Sequence, residues 1–320
     1  MLAVQSSDAP RSQSDPGSCE DQPAGVQPQA EGEGSVLVTG ASGFIGRHVV
    51  RHLLEQGRSV LALEHRWPSR ATLERSLGEQ GIEACIHLGW YADPRDYLSA
   101  DVPNLESLRA SIELIAALVS RGVVHLTVAG TSAEYAPSTR PLHEEAELST
   151  ATPYGRAKGA LRELTTALAQ ASVLPTAWCR IFNLTGRGEH QARLIPQVIC
   201  ALLRGEPIEL SDGGQQRDFL DVRDVAAALS AASTSRLVGS YNVCSGRPVV
   251  LRDLLVDIAR RCGPLELLRF GARARRACEP DIVIGDGRKL ERAAGWRPSI
   301  AWQSTLEDCV DYWRSEIEQR

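Results

Sequence analysis

The sequence predicts an α/β protein: a doubly wound parallel sheet followed by a smaller C-terminal α/β lobe. Three observations predict it. Short apolar runs suited to strands buried on both faces alternate with helical stretches over residues 35–186. The loop VTGASGFIG, residues 38–46, joins the first such run to the first helical stretch. Past Gly186 the alternation loosens into shorter pieces.

Residues 1–33 are rich in Ser, Gln, Pro, Gly, Asp and Glu, with almost no large apolar side chains. They bury too little surface to offset ordering entropy, so a disordered tail is expected. SVLVT (35–39) then reads as a buried strand. A helix follows over 44–56, stopped by Gly57. SVLAL (59–63) is the next strand. Later strands are ACIHL (84–88), VHLTVA (124–129) and TAWCRIF (176–182), with helices near 69–79, 104–120 and 153–171. Right-handed crossovers make such a sheet doubly wound. Beyond Gly186, a helix near 191–204 leads to the strand IEL. Another helix begins near Asp221, YNVCS returns to the sheet, and a last helix spans 303–317.

The chain of 320 residues suffices for one large domain or two small ones, and 43% apolar content is ordinary for a globular protein. A net charge of -5 leaves no electrostatic footprint for nucleic acid. The cluster Arg273, Arg275 and Arg276 suits a small anion better than a polyanion. The eight cysteines are scattered without a C-x-x-C pair, so reduced thiols are expected in a cytoplasmic protein, with no metal site. No run of about 18 apolar residues suggests a membrane helix, and no signal peptide is evident.

In the glycine loop, Gly40, Gly43 and Gly46 recur every third residue. Glycines allow a tight turn and close approach of a pyrophosphate, and the following helix N-terminus offers free N–H groups. The second strand ends in Glu64, where an acid accepts hydrogen bonds from ribose hydroxyls and repels a 2′-phosphate. That favours NAD over NADP, although the basic His65 and Arg66 follow at once. An ordinary packing turn is the competing explanation.

PYGRAK holds Tyr154-x-x-x-Lys158, with Thr152 as N-cap and Pro153 in the first turn of a helix. Residues i and i+4 share one face, so an ammonium lies beside a phenol. It lowers the phenol pKa and lets the tyrosine give or take a proton at a carbonyl or carbinol oxygen. Upstream, VAGTSAEY ends a strand. Thr131 or Ser132 there could hydrogen-bond the reacting oxygen, or merely cap a turn.

Together these motifs resemble the extended short-chain dehydrogenase/reductase superfamily, in its nucleotide-sugar epimerase, dehydratase and reductase branch. RIFNLTG (180–186), ARLIPQVI (192–199), GGQQRDFLDVRDVAAAL (213–229), YNVCSG (241–246) and GWRP (295–298) extend the resemblance over about residues 35–313. It implies an NAD(P)-binding Rossmann domain over 34–186, joined by 221–246, with 187–320 mainly a substrate-binding lobe. The implied catalytic set is Thr131, Tyr154 and Lys158. The implied cofactor set is Gly40, Ser42, Gly43, Phe44, Ile45, Gly46, Glu64, His65, Arg66, Leu88, Tyr154 and Lys158. Asn183, Arg217 and Arg276 would hold the substrate diphosphate, Arg193 and Leu194 would touch the nucleotide, and Trp90 and Tyr91 would wall the sugar site. The implied partners are an NDP-sugar and a second copy in a homodimer.

Two departures matter. Dehydratases of this branch carry an acid one or two residues after the catalytic threonine, where this chain has Ser132 and Ala133; Glu134 comes one place later. Only about twenty residues separate Glu64 from ACIHL, so the sheet's third strand is expected to be missing or vestigial, with the Asp that hydrogen-bonds adenine. The segment HLGWYADPRDYL (87–98) favours a reductase of an NDP-4-keto-6-deoxysugar. A nucleotide-sugar epimerase with tightly bound NAD is the alternative, and a non-catalytic NAD-binding regulator is a third.

Overall fold

The computed structural model describes residues 34–63, 67, 69–149, 151–275 and 279–319. The expected tail, 1–33, lies outside the described residues. The strands are β1 (Ser35–Thr39), β2 (Val60–Leu63), β3 (Ile82–His87), β4 (His125–Thr131), β5 (Thr176–Ile181), β6 (Asn183–Thr185), β7 (Ile208–Leu210), β8 (Gln216–Asp221), β9 (Gly239–Val243), β10 (Pro248–Val250), β11 (Leu268–Phe270) and β12 (Ile282–Val283). The α-helices are α1 (Phe44–Glu55), α2 (Arg70–Leu77), α3 (Asp101–Ser120), α4 (Pro153–Gln170), α5 (Leu194–Leu203), α6 (Val222–Thr234), α7 (Leu251–Cys262), α8 (Arg288–Ala294) and α9 (Trp302–Glu318).

A six-stranded sheet runs in the order β2-β1-β3-β4-β5-β9 with every pairing parallel. Parallel strands need both faces covered, and β1 shows how this chain does it. Val36 and Val38 face a layer with Val49 and Leu53 of α1 and Val225 and Leu229 of α6. Leu37 faces the other layer, with Leu73 and Leu77 of α2, Leu114 and Leu118 of α3, and Leu161 of α4. The chain leaves β1 toward β2 on one side and returns to β3 on the other. A crevice therefore opens beyond the carboxyl ends of β1 and β3, where doubly wound sheets bind ligands.

Among the described residues β2 is the edge of this sheet, and the connection to β3 carries α2 alone. Among the described residues of that connection no third strand of the usual fold is present, as its short length leads one to expect. YNVCS enters the sheet as β9. QRDFLD, which the sequence shows only as a motif, forms β8, the hub of a second sheet of order β10-β8-β12 that also pairs β6. The short strands β7 and β11 pair beside it and share a core with α5, α7 and α9. Among the described residues, Cys85, Cys179, Cys200, Cys244, Cys262 and Cys309 are free thiols. Also among them, no helix is long and apolar enough to cross a membrane.

The carboxylates of RDFLDVRD knit these pieces together. Asp218 accepts from Ser245 N at 2.7 Å, Ser245 Oγ at 2.6 Å, Gly246 N at 2.8 Å and Gly285 N at 3.1 Å. Asp221 caps α6 through Arg223 N and accepts from Thr305 Oγ1 of α9, at 2.8 and 2.9 Å. Asp224 accepts from Ser299 N and Ile300 N, both at 3.1 Å. Asp218 is fully buried, so Asp218→Ala orphans its donors. Denaturant unfolding should show a loss of about 2–4 kcal/mol, whereas Asp253→Ala at an exposed position of α7 should change little.

Candidate active site

One cavity of about 1410 Å³ collects the described candidates: Gly40, Ser42, Gly43, Phe44, Ile45, Gly46, Leu88, Trp90, Tyr91, Thr131, Tyr154, Lys158, Asn183, Arg193, Leu194 and Arg217. Glu64, His65, Arg66 and Arg276 lie outside the described residues.

The glycine turn fits a dinucleotide on steric grounds. Gly40 has φ +67°, a left-handed conformation that favours glycine, and a Cβ on Gly46 would stand 2.0 Å from Gly40 O. Gly40 N donates to Leu63 O at 2.9 Å, so the end of β2 is pinned against the turn. Gly43 caps α1 with no side-chain hydrogen bond, which leaves the first N–H groups of α1 to an anion. Beside it, β3 ends in a locked histidine. Ser111 Oγ donates to Ser107 O, so at 2.8 Å it accepts from His87 Nε2. Nδ1 then accepts from Thr39 Oγ1 at 2.6 Å. Burial keeps this imidazole neutral by pushing its pKa down to about 3.

Tyr154 and Lys158 rise from the first turns of α4, whose N-cap Thr152 accepts from Gly155 N. The Thr131 side chain at the end of β4 lies close enough to the Tyr154 hydroxyl to draw its pKa down. The expectation that Lys158 lowers the phenol pKa is not met. Burial, with Tyr97 and Glu134 nearby, holds the phenol above its ordinary value, against the pull of Thr131 and Arg193. Lys158 is itself 3% exposed, and its Nζ donates to Ala129 O at 2.8 Å. The ammonium sits 3.9 Å from the centre of the Trp90 ring and 6.0 Å from that of Tyr154. Burial pushes its pKa down to about 7, with Glu134 pulling it back up.

Trp90 therefore walls the Tyr154–Lys158 pair directly. Its Nε1 donates to Asn104 Oδ1 at 2.8 Å, and Asn104 donates in turn to Tyr97 O and Ala100 O. Tyr91 donates its hydroxyl to Asp96. Tyr97, which the sequence does not single out, packs edge-on to Tyr154 at 5.1 Å and carries the Arg193 guanidinium 4.7 Å from its ring centre. Farther along the cavity Arg217 donates to Glu279 at 2.8 Å, and Asn183 to Asp218 O at 3.2 Å. Arg275 is bound by Asp212 and Asp281. Glu189 lines the cavity too; burial raises its carboxyl to about 7, against Thr185 and Arg193.

The residue that holds Thr131 is Glu134. Its carboxylate accepts from Thr131 N at 3.0 Å, Trp178 Nε1 at 2.9 Å and Arg180 Nε at 3.1 Å, and it is 1% exposed. Arg180, equally buried, also donates to the Tyr135 hydroxyl and to Glu144 O. A Cβ on Gly130 would stand 2.3 Å from Trp178 Nε1, so the indole reaches this carboxylate only past a glycine. The spacing T-x-x-E, a capping box over 131–134, is the sequence signal that identifies Glu134.

The family model for "NAD dependent epimerase/dehydratase family" matches residues 36–244. The chain belongs to this NAD-dependent epimerase/dehydratase family. It is therefore an NAD(P)-dependent enzyme, and the glycine cradle and the cavity beside it fit such a cofactor. The chain is 29% identical over 305 residues to GDP-6-deoxy-D-mannose reductase of Pseudomonas aeruginosa, covering 89% of this chain and 98% of the relative. A UDP-glucose 4-epimerase from Thermus thermophilus, solved with NAD, superposes with a TM-score of 0.80 at 25% identity, over 88% of this chain and 99% of that one. RMD from P. aeruginosa, solved with NADPH, gives 0.80 at 26%, over 89% and 100%. Further relatives at 23–24% identity are named UDP-glucose 4-epimerase or UDP-glucuronate 4-epimerase.

Two outcomes are expected of this family member. Glu134→Gln unseats Thr131 and leaves Arg180 uncompensated. Turnover should fall about 10- to 100-fold with cofactor affinity kept. Glu134 raises the pKa of both Tyr154 and Lys158, so the pH–rate profile should move to lower pH; steady-state kinetics across pH checks both. The second concerns Lys158, whose folded pKa of about 7 lies below its ordinary 10.5. Between those values the unfolded chain binds a proton that the folded chain does not. The stability of the wild type relative to Lys158→Met should therefore rise with pH across that window, by at most about 1.4 kcal/mol per pH unit. Denaturant unfolding of both proteins measures it.

Proposed function

We propose that the protein is an NDP-hexose oxidoreductase acting at C4 of the sugar. The observation that carries this is the meeting of Thr131, Tyr154 and Lys158 with the glycine cradle in one cavity that continues to Asn183, Arg193 and Arg217. The cofactor, when bound, supplies or accepts the hydride at the sugar carbon. Tyr154 gives or takes the proton at the oxygen, and Thr131 shares the charge that develops there. Lys158, in its protonated form, supplies a nearby positive charge and, in either form, the contact to the nicotinamide ribose. The Arg217 guanidinium matches a diphosphate, which would exchange places with Glu279.

Two reactions use these steps. The relatives named as 4-epimerases outnumber the reductases and weigh toward a 4-epimerase, which returns the hydride and keeps its NAD. Net reduction of a 4-keto-6-deoxysugar is the second reading. It is supported by the likeness to GDP-6-deoxy-D-mannose reductase, by 27% identity over 242 residues to dTDP-6-deoxy-L-talose 4-dehydrogenase (NAD(+)) of Aggregatibacter actinomycetemcomitans, and by the short β2 edge, which suits an exchangeable cofactor. A homodimer belongs to the same proposal. Val102, Leu105 and Ile112 of α3 are 63%, 61% and 44% exposed on one face, while Ile115 and Leu118 pack inward.

Purified protein separates the readings. An epimerase should release NAD only on denaturation and interconvert NDP-hexoses with no change in nicotinamide absorbance. A reductase should consume NADH or NADPH against NDP-4-keto-6-deoxysugars. Tyr154→Phe should lose about 10²- to 10⁴-fold in turnover either way while still binding cofactor by calorimetry. An unchanged rate would remove Tyr154 from the chemistry.

A further inference from the structure

The chain carries only two lysines, Lys158 and Lys289, among its 35 Lys and Arg side chains. Arginine keeps its charge even when buried, whereas a buried lysine can lose its proton. Lys158 stands at that boundary. Its Nζ donates to Ala129 O of β4 at 2.8 Å, and burial brings its pKa to about 7. Of the titratable groups around it, Glu134 beyond β4 is committed to Arg180, His87 of β3 is held neutral, and Tyr154 of α4 keeps its proton. None of the three gives the ammonium a close counter-charge.

One side chain lies on the ammonium itself. The centre of the Trp90 ring is 3.9 Å from Nζ, with the charge over the ring face. Asn104 of α3 fixes the ring there. This asparagine is buried, and its amide nitrogen donates to Tyr97 O and Ala100 O, both at 2.7 Å. With both amide protons spent, Oδ1 accepts the Trp90 Nε1 proton at 2.8 Å. That bond lies in the plane of the indole and leaves its face to the lysine. The electron-rich face of an indole attracts a cation, and does so more strongly where water is excluded.

We propose that Trp90, aimed by Asn104, is a positioning residue that keeps the Lys158 ammonium charged inside the cavity. The aromatic face takes the part that a carboxylate would otherwise play. A carboxylate at that place would also hold the Tyr154 proton more tightly, since a like charge disfavours the phenolate. A neutral ring favours the ammonium without that effect. The proposal concerns the charge of Lys158 before any ligand binds, and it holds whether the enzyme epimerises or reduces.

Magnetic resonance of protein made with isotope-labelled lysine tests it directly, because only two side chains give signals and Lys289→Arg removes one of them. The pH midpoint of the Lys158 signal is read with no cofactor or substrate present. Trp90→Leu keeps an apolar neighbour and removes the aromatic face, so the midpoint should fall by about one pH unit. Asn104→Ala frees the indole to turn and should lower it by a smaller step. Fluorinated tryptophan, which withdraws electron density from the ring face and nearly keeps its shape, should lower the midpoint in the otherwise unaltered chain. Should Trp90→Leu fail to melt cooperatively, the fluorinated protein decides alone. A midpoint that fluorination leaves in place overturns the proposal, and so does one that stays or rises in folded Trp90→Leu. An unchanged midpoint in Asn104→Ala removes Asn104 from it.

Discussion

The buried ion pair of Glu134 with Arg180 is the constraint on which the cavity end of the sheet depends. Two neighbouring strands, β4 and β5, end there, and the pair joins them below the level of the cavity. Breaking one partner of a buried pair leaves a bare charge in a dry place, which costs about 3–5 kcal/mol. The carboxylate also receives the Thr131 amide and the Trp178 indole, so the chain has no inexpensive way to let Thr131 wander. From that anchor, Arg180 reaches the Tyr135 hydroxyl, Tyr135 donates to Asn242 of β9, and Asn242 N donates to Glu144. Three strands and the 135–148 segment thus share one polar network. The position of the threonine hydroxyl beside Tyr154 is a property of that network as much as of β4.

Much of this architecture was legible in the sequence because local pattern and tertiary role agree. SVLVT, ACIHL, VHLTVA and TAWCRIF are apolar on both faces, which only a covered parallel strand tolerates, and all four became sheet strands. The glycine spacing and Y-x-x-x-K declared themselves through backbone sterics and helical periodicity. The short stretch after Glu64 foretold the lost strand by length alone. QRDFLD was harder. Its charges hide a strand, because the buried Asp218 carboxylate is satisfied by backbone donors from Ser245, Gly246 and Gly285, residues far along the chain. No periodicity encodes partners at such separation.

At the site, sequence reasoning found the residues that touch the cavity more readily than those that set their chemistry. Lys158 was expected to act on Tyr154 through proximity on a helix face. The fold instead buries the ammonium between Trp90 and Ala129 O, and burial governs the titration of both groups. Tyr97 and Arg193 meet beside Tyr154 although nearly a hundred residues separate them. Glu134 stands one place beyond the acid position of the dehydratases. It is indeed directed away from the cavity, into the interior between β4 and β5, where it serves as a brace.

Gly130 shows what this brace imposes on the protein's history. The Trp178 indole passes so close that any side chain at 130 would collide with it, and the indole is there to reach Glu134. Positions 130, 134, 178 and 180 therefore form one epistatic unit. Replacing the tryptophan takes one donor from the carboxylate, and replacing the glycine displaces the tryptophan. Single changes within this arrangement are expected to cost more than coordinated ones, because each of the four side chains occupies space or satisfies a partner set by the others.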